Sequence, residues 1–230
     1  MRITTKIGSL SVALGLLACS AAAMAQQDNT VRLGMYAIFY HTSAQDVQGP
    51  FVPPGVTAYA KDTQTPYFAY LRRLNAHWEL ELAAGWPPKT DTVARGPATL
   101  GSVPWNGQTV GTVKWFAPTF LAEYKFCDES SAWRPYLGAG MNYTHFYDRT
   151  INGAGNAALG GPTSVALTDS FGPAATLGVY YHVRGSWSVI ASFSVSQVKS
   201  SLTANTEGIY RRSTVNFNPS ALVVAAGYSF

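Results

Sequence analysis

Few residues of this sequence are placed for chemistry. His41-Thr42-Ser43 sets an imidazole two residues from a hydroxyl, the raw material of nucleophilic acyl transfer. A nucleophile also needs a third group to orient its base, and none accompanies this pair, so no catalytic residue is assigned. His41, His77, His145 and His182 are scattered without paired ligand spacing, so neither a metal site nor a cofactor is expected. What remains is a set of ionisable residues inside otherwise apolar stretches: Arg32, Glu79, Glu81, Glu123 and Lys125. Charges in such places need partners of opposite sign.

The elements that would hold them have a period of two. Leu222, Val224, Ala226, Tyr228 and Phe230 share one face, and Val223, Ala225, Gly227 and Ser229 the other. Trp78, Leu80, Leu82, Ala84 and Trp86 oppose His77, Glu79, Glu81, Ala83 and Gly85. Trp187, Val189, Ala191, Phe193 and Val195 oppose Ser188, Ser192, Ser194 and Ser196, with Ile190 an exception. Segments 114–126, 137–144 and 171–181 alternate likewise; 31–40 supplies a first strand and 65–71 a second, whose facing the alternation does not fix.

Composition narrows the class. The 230 residues are 47% hydrophobic and only 12% charged, with 13 Tyr, 11 Phe and 6 Trp, against about 25% charged in soluble domains. This suits a secreted β-protein or a membrane barrel better than a cytoplasmic enzyme. Arg2 and Lys6, an apolar run over 7–18 and Ala23-Met24-Ala25 read as a secretory signal peptide over 1–25, cut before Gln26. Leu16-Leu17-Ala18-Cys19 is a rival lipobox junction. After ordinary cleavage Cys127 is the single cysteine, unable to form an internal disulfide. Loss of Arg2 and Lys6 takes the net charge from +4 to +2, and no nucleic-acid-binding patch is present.

No later apolar run reaches the roughly 18 residues of a membrane helix. A closed barrel is then the one spanning structure open to the chain, since lipid cannot satisfy open backbone groups. Connection lengths separate this from a soluble sandwich, which also alternates. Short turns near 73–75, 127–132 and 184–186 alternate with long segments near 41–64, 87–111, 149–168 and 201–213. That is the outer-membrane pattern of periplasmic turns and extracellular loops, and eight strands put both termini in the periplasm. Aromatics at strand ends, among them Tyr40, Tyr67, Trp86, Tyr124, Phe126, Phe146, Tyr147, Trp187, Tyr228 and Phe230, read as a girdle. The fold class is all-β, an eight-stranded antiparallel transmembrane β-barrel over 26–230.

Four ordered stretches carry a family resemblance: Ala117-Pro118-Thr119-Phe120-Leu121-Ala122-Glu123-Tyr124-Lys125-Phe126; Arg134-Pro135-Tyr136-Leu137-Gly138-Ala139-Gly140-Met141-Asn142-Tyr143-Thr144 with Phe146-Tyr147-Asp148; Asp169-Ser170-Phe171-Gly172 through Gly178-Val179; and Asn218-Pro219 to Phe230. They resemble the outer membrane protein W (OmpW) family. The resemblance implies a narrow barrel in the outer membrane of a Gram-negative bacterium that helps small, mostly hydrophobic molecules cross, with lateral release through the wall; the family has an alkane-uptake branch. Its implied partners are outer-membrane lipid and lipopolysaccharide, such solutes, and the barrel-assembly machinery, for which Tyr228 and Phe230 form the terminal signal.

An eight-stranded interior is just wide enough for side chains to fill. Pro118 and Pro173 lie inside expected strands and cannot donate a ladder bond, which makes them candidates for a lateral opening; the alternative is a tolerated bulge. Arg32, Glu79, Glu81, Glu123, Lys125, Ser192 and Ser194 are expected in the lumen, where they give either a polar route or, with the carboxylates paired to the basic residues, a plug. Such an interior departs from the bulky apolar lumen lining of the family. Phe51, Tyr59 and Trp105 are candidates for an apolar mouth, and 152–161 reads as a flexible glycine-rich loop. Some eight-stranded barrels modify lipids, and His41-Thr42-Ser43 resembles a lipid A deacylase in spacing but lacks its flanking residues; the chain is not expected to be an enzyme. The competing function is a non-conducting structural, adhesive or stress-related barrel acting through its loops.

Overall fold

The computed structural model describes residues 28–230; the expected signal peptide and the Cys19 junction lie outside them. Eight strands form the barrel: β1 (Asn29–Tyr40), β2 (Thr63–Arg73), β3 (Trp78–Gly85), β4 (Thr119–Lys125), β5 (Trp133–Ile151), β6 (Ser170–Arg184), β7 (Trp187–Ser196) and β8 (Pro219–Ser229). Their order is β4-β3-β2-β1-β8-β7-β6-β5, and antiparallel pairing of β4 with β5 closes the ring. β1 and β8 make the seam between the chain ends, from Thr30 opposite Ser229 to Tyr40 opposite Pro219.

The two faces of each strand are sorted inside out relative to a soluble protein. Leu33, Met35, Leu82, Phe120, Leu137, Leu177, Phe193, Leu222 and Val224 are exposed on the outer wall, the apolar band a bilayer requires. Arg32, Glu81, Glu123, Tyr136 and Val223 are buried in the lumen. The facing of β2 is settled: Thr65, Tyr67, Ala69 and Leu71 point inward.

Tight turns join strands at one end, at 74–77, 126–132 and 185–186. Arg134 ties the first two together, donating to the carbonyls of Ala76 (2.6 Å) and Cys127 (3.2 Å). At the other end the expected long loops are largely β-structure. Lys89–Arg95 pairs with Thr109–Phe116, which pairs with the upper part of β5, and Thr57–Ala60 adds to that wall. Lys199–Thr206 and Ile209–Asn216 form a hairpin flanked by Thr163–Leu167 and Ser43–Ala44. The barrel strands thus continue upward as two sheets, and β5, at 19 residues, runs unbroken through both levels. The expected flexible loop at 152–161 instead holds helix α1 (Gly153–Leu159). Asn152 caps it, its side chain accepting from the Gly155 N–H, and Gly160 ends it with φ 88°.

The centre of the barrel interior is ionic. Glu123 stands directly opposite Glu79 on the β4–β3 ladder, a like-charge pairing that is unfavourable by itself. Arg32 reaches it across the lumen. Its guanidinium lies 3.3 Å from Glu123, 4.0 Å from Glu79 and in direct contact with Glu81. Lys125 Nζ donates to Glu79 (2.7 Å), and Tyr67 OH donates to Glu81 (2.8 Å). Arg32 also sits over the Tyr136 ring (5.5 Å) and Lys125 over that of Tyr180 (4.3 Å). Small neighbours make room: Ala69 and Gly227 flank Arg32, and Gly138 faces Glu123.

Removing the central cation strands Glu81 and Glu123 and leaves three carboxylates to Lys125 alone, whereas removing one carboxylate leaves cations and anions matched. Arg32→Gln should therefore lower the unfolding free energy in lipid vesicles by about 3–5 kcal/mol, and Glu123→Gln by clearly less, measured by urea titration with tryptophan fluorescence and gel mobility. A β-carbon at Gly140 would collide with the Phe120 carbonyl of β4. Gly140→Ala should cost about 1–3 kcal/mol in the same titration.

Candidate functional site

The sequence-assigned lumen residues do converge. Glu79, Glu81, Glu123, Arg32 and Lys125 form the cluster just described, and it closes the barrel on the turn side. Above it, on the side of the long loops, is a narrow pocket of about 90 Å³. Ser192 and Ser194 line one wall, and Glu81 with its Tyr67 bond forms part of the floor.

Aromatic residues dominate the rest: Tyr36, Tyr40, Tyr67, Trp115, Phe146 and Phe217. Tyr36 and Tyr67 meet edge to face at 4.8 Å, as do Tyr40 and Trp115 at 6.5 Å. Three of these, Tyr40, Tyr67 and Phe146, were expected in the girdle. Parity sends them inward instead: Tyr67 shares the face of Leu71, and Phe146 that of Thr144. The outward girdle keeps Trp86, Tyr124, Phe126, Trp187 and Tyr228 of the expected set and adds Trp78. Trp78, Tyr124 and Phe126 touch in series (5.2 and 5.1 Å), as do Trp187 and Tyr228 (5.0 Å), with Trp86 exposed on the wall. Phe230 extends the β1–β8 seam, its N–H donating to the Asn29 carbonyl (2.8 Å).

None of Phe51, Tyr59 and Trp105 lines the pocket. Phe51 is 85% exposed at a loop tip, Tyr59 lies under Arg95 (4.7 Å), and Trp105 is held in a turn by its bond to the Ala98 carbonyl. The long segments fold into sheets, and these place Trp115 and Phe217 over the pocket in their stead. His41 pairs with Ser220 Oγ (2.9 Å), not with Ser43. On the outer face of the upper sheet, Lys114 donates to Asp148 (2.7 Å) and holds that carboxyl below the usual carboxylate range.

The wall beside the pocket has a break. The β3–β4 register runs from Trp78 opposite Tyr124 to Ala83 opposite Thr119, and pairing between the two strand paths resumes only at Lys89 opposite Lys114. Residues 84–88 and 115–118 face each other across this gap, and Trp115, Ala117 and Thr119 also line the pocket. On β3 the odd-numbered residues direct their backbone groups at β4, as the bond from Lys125 N–H to the His77 carbonyl shows. Beyond the gap the phase is inverted, Asp91 turning its carbonyl to Lys61 and Ala94 pairing with Gln108, so the path changes phase at Pro87-Pro88, and neither proline has an N–H to give. On the facing strand, Asn142 and Thr119 side chains reach the Ala117 carbonyl (3.4 and 3.5 Å), satisfying a group the gap would leave bare.

The two prolines singled out from sequence stand elsewhere. Pro118 borders the gap, but its carbonyl accepts from Tyr143 of β5, so its missing N–H belongs to the β4–β5 side. Pro173 faces β7, its carbonyl accepting from Gln197. There the β6–β7 junction is stitched by side chains: Ser170 accepts from Lys199 N–H, Thr168 from Ser201 N–H, and Ser200 donates to the Thr168 carbonyl. Pro87 went unnoticed although Trp86-Pro87-Pro88 was plain to read; its significance depends on which neighbour its nitrogen faces.

Known proteins match this arrangement. The profile of the OmpW family covers residues 28–230. Outer membrane protein W of Vibrio cholerae is 29% identical over 97% of this chain and 98% of its own length. The Escherichia coli K12 protein of the same name is 32% identical over 71% of this chain and 70% of its own. The dibenzothiophene metabolism operon protein PahQ of Pseudomonas aeruginosa is 29% identical over 52% of this chain and 53% of its own. In fold, the crystal structure of OprG from Pseudomonas aeruginosa superposes with a TM-score of 0.79 at 22% identity, covering 88% of this chain and 95% of that one. An inside-out eight-stranded ring, a filled lumen and a family match over the whole described chain lead to one assignment: the chain belongs to the OmpW family of outer-membrane β-barrels.

Proposed function

We propose that the barrel lets small, mainly hydrophobic molecules enter from outside the cell into the aromatic pocket and leave sideways through the β3–β4 break into the bilayer. In this reading the long loops are extracellular, both termini are periplasmic, lipopolysaccharide surrounds the upper wall, and Tyr228 and Phe230 present the terminal strand to the assembly machinery. No step of it is enzymatic. The observation that carries the proposal is the conjunction of a closed ionic floor with an open seam in the wall of the same pocket. A solute on the loop side meets paired charges ahead of it and an unpaired wall beside it. The relative whose name ties it to an operon for dibenzothiophene metabolism, an apolar aromatic compound, supports a cargo of this type.

Vesicles with lipopolysaccharide in the outer leaflet, loaded with a solute-degrading enzyme, report entry of an apolar and a polar panel. Pro87→Val and Pro88→Val each restore a donor within the gap; the one whose N–H meets the facing strand adds a bond worth about 1 kcal/mol and should cut apolar entry about fivefold. Pro118→Val and Pro173→Val, whose nitrogens face other strands, should leave it near wild type. Apolar entry indifferent to both Pro87→Val and Pro88→Val would reject the seam and keep the uptake. Polar entry would place the route through the floor. Entry no faster than in protein-free vesicles would reject uptake in favour of a surface-binding role for the loops.

A further inference from the structure

The pocket has two chemically different walls. β1 and β2 contribute Tyr36, Tyr40 and Tyr67. Across the lumen, β6 and β7 contribute Thr176, Ser192, Ser194 and Ser196, with β2 and β6 four strands apart on the eight-membered ring. The three serines recur at every second residue, so their hydroxyls rise in one line over about 13 Å, from beside the ionic floor toward the mouth. Their cross-strand neighbours are small: Ser192 lies between Gly178 and Val223, Ser194 between Thr176 and Ala221. The Tyr136 ring lies over Gly178 beside Ser192, at the lower end of the line; the small neighbours leave Ser194 uncovered.

Ser192 is engaged by the Tyr136 hydroxyl, while the two serines above it keep free capacity. Ser194 donates to Thr176 (3.0 Å), which leaves its own oxygen free to accept. Among the described residues the Ser196 hydroxyl has no hydrogen-bond partner, and it lines the pocket. An independent sign comes from the opposite wall. The Tyr40 hydroxyl is enclosed in the aromatic part of the same pocket, beside Thr90 and Trp115, and makes no hydrogen bond of good geometry, although buried polar groups are ordinarily well paired. Its neighbour Trp115 already spends its N–H on Thr90 (3.0 Å). A hydrocarbon would leave these groups unmet. A molecule with an apolar body and one polar substituent would lay the body on the rings and complete a hydroxyl.

We infer that the pocket selects amphipathic solutes, apolar molecules carrying a single hydroxyl or carbonyl group, over hydrocarbons of equal size. The inference rests on the uptake reading and narrows its cargo. Hydroxyl recognition discriminates well because the analogue lacking the group leaves a buried partner unpaired.

The test is calorimetric titration of the full barrel in lipid nanodiscs with 4-methylphenol and p-xylene, empty discs subtracted. The phenol should bind about tenfold more tightly, the size of one net hydrogen bond. The combined Ser192→Ala, Ser194→Ala, Ser196→Ala variant and, separately, Tyr40→Phe are checked for folding by gel mobility. At least one should shrink the affinity ratio severalfold toward unity. Equal wild-type affinities, or a ratio intact in both variants, would overturn the selectivity and leave the uptake reading standing. Heat from neither compound beyond that of empty discs would remove the pocket as a cargo site, and both readings with it.

Discussion

The structure turns on Arg32. A lumen too narrow for bulk water has to be filled, and this one is filled with five ionisable side chains whose arrangement works only around a central guanidinium. Glu79 and Glu123 face each other on neighbouring strands, and Glu81 rises on the same face of β3 as Glu79. Without a cation reaching over from β1, the β3–β4 ladder would carry a block of like charge in a medium that screens it poorly. With it, β1 is tied through the interior to β3 and β4, and the lower barrel is fastened beneath the break in its upper wall. The firm floor and the open seam share the same two strands.

That sharing gives the seam its meaning. Below Ala83 and Thr119 the two strands are held by ladder bonds and by the ion cluster; above Lys89 and Lys114 they are held by the upper sheet. The gap is thus a short interval between two fastened regions, not a frayed end. Its free carbonyl is met from within by Asn142 and Thr119, so the break is chemically finished and need not close. By contrast the β6–β7 junction, interrupted over a similar length, is sewn by serine and threonine hydroxyls.

Much of this was legible in the sequence, for a definite reason. Period-two alternation with charges on one face states that Glu79, Glu81, Glu123, Arg32 and Lys125 share an interior, and the burial of charge dictates that they pair. The alternation of short and long connections fixes a barrel over a sandwich. What escaped depends on register. For β2, alternation defined two faces without saying which was inward, and Tyr67 turned out to be lumenal. The tips of the long segments were read as loops because threonine, glycine and asparagine dilute their apolar pattern; in the structure they are strands whose outer faces meet water. Which proline opens a wall depends on the neighbour its nitrogen addresses, and that phase is fixed only once β3 is aligned with β4. Helix α1 was hidden by its glycines, though Asn152 and Gly160 marked both ends.

The continuation of the barrel strands into two upper sheets bears on how such a surface can diversify. A flexible loop absorbs insertions of any length, but a strand that still lines the pocket cannot. One residue added within Thr109–Phe116 would turn every side chain beyond it to the opposite face, exchanging pocket lining for solvent. Length variation is therefore tolerable at the hairpin tips, such as Glu207-Gly208, where both residues already have positive φ. Descendants of this chain would be expected to change their outermost epitopes by whole-tip replacement and paired-residue steps, while the frame beneath keeps its count.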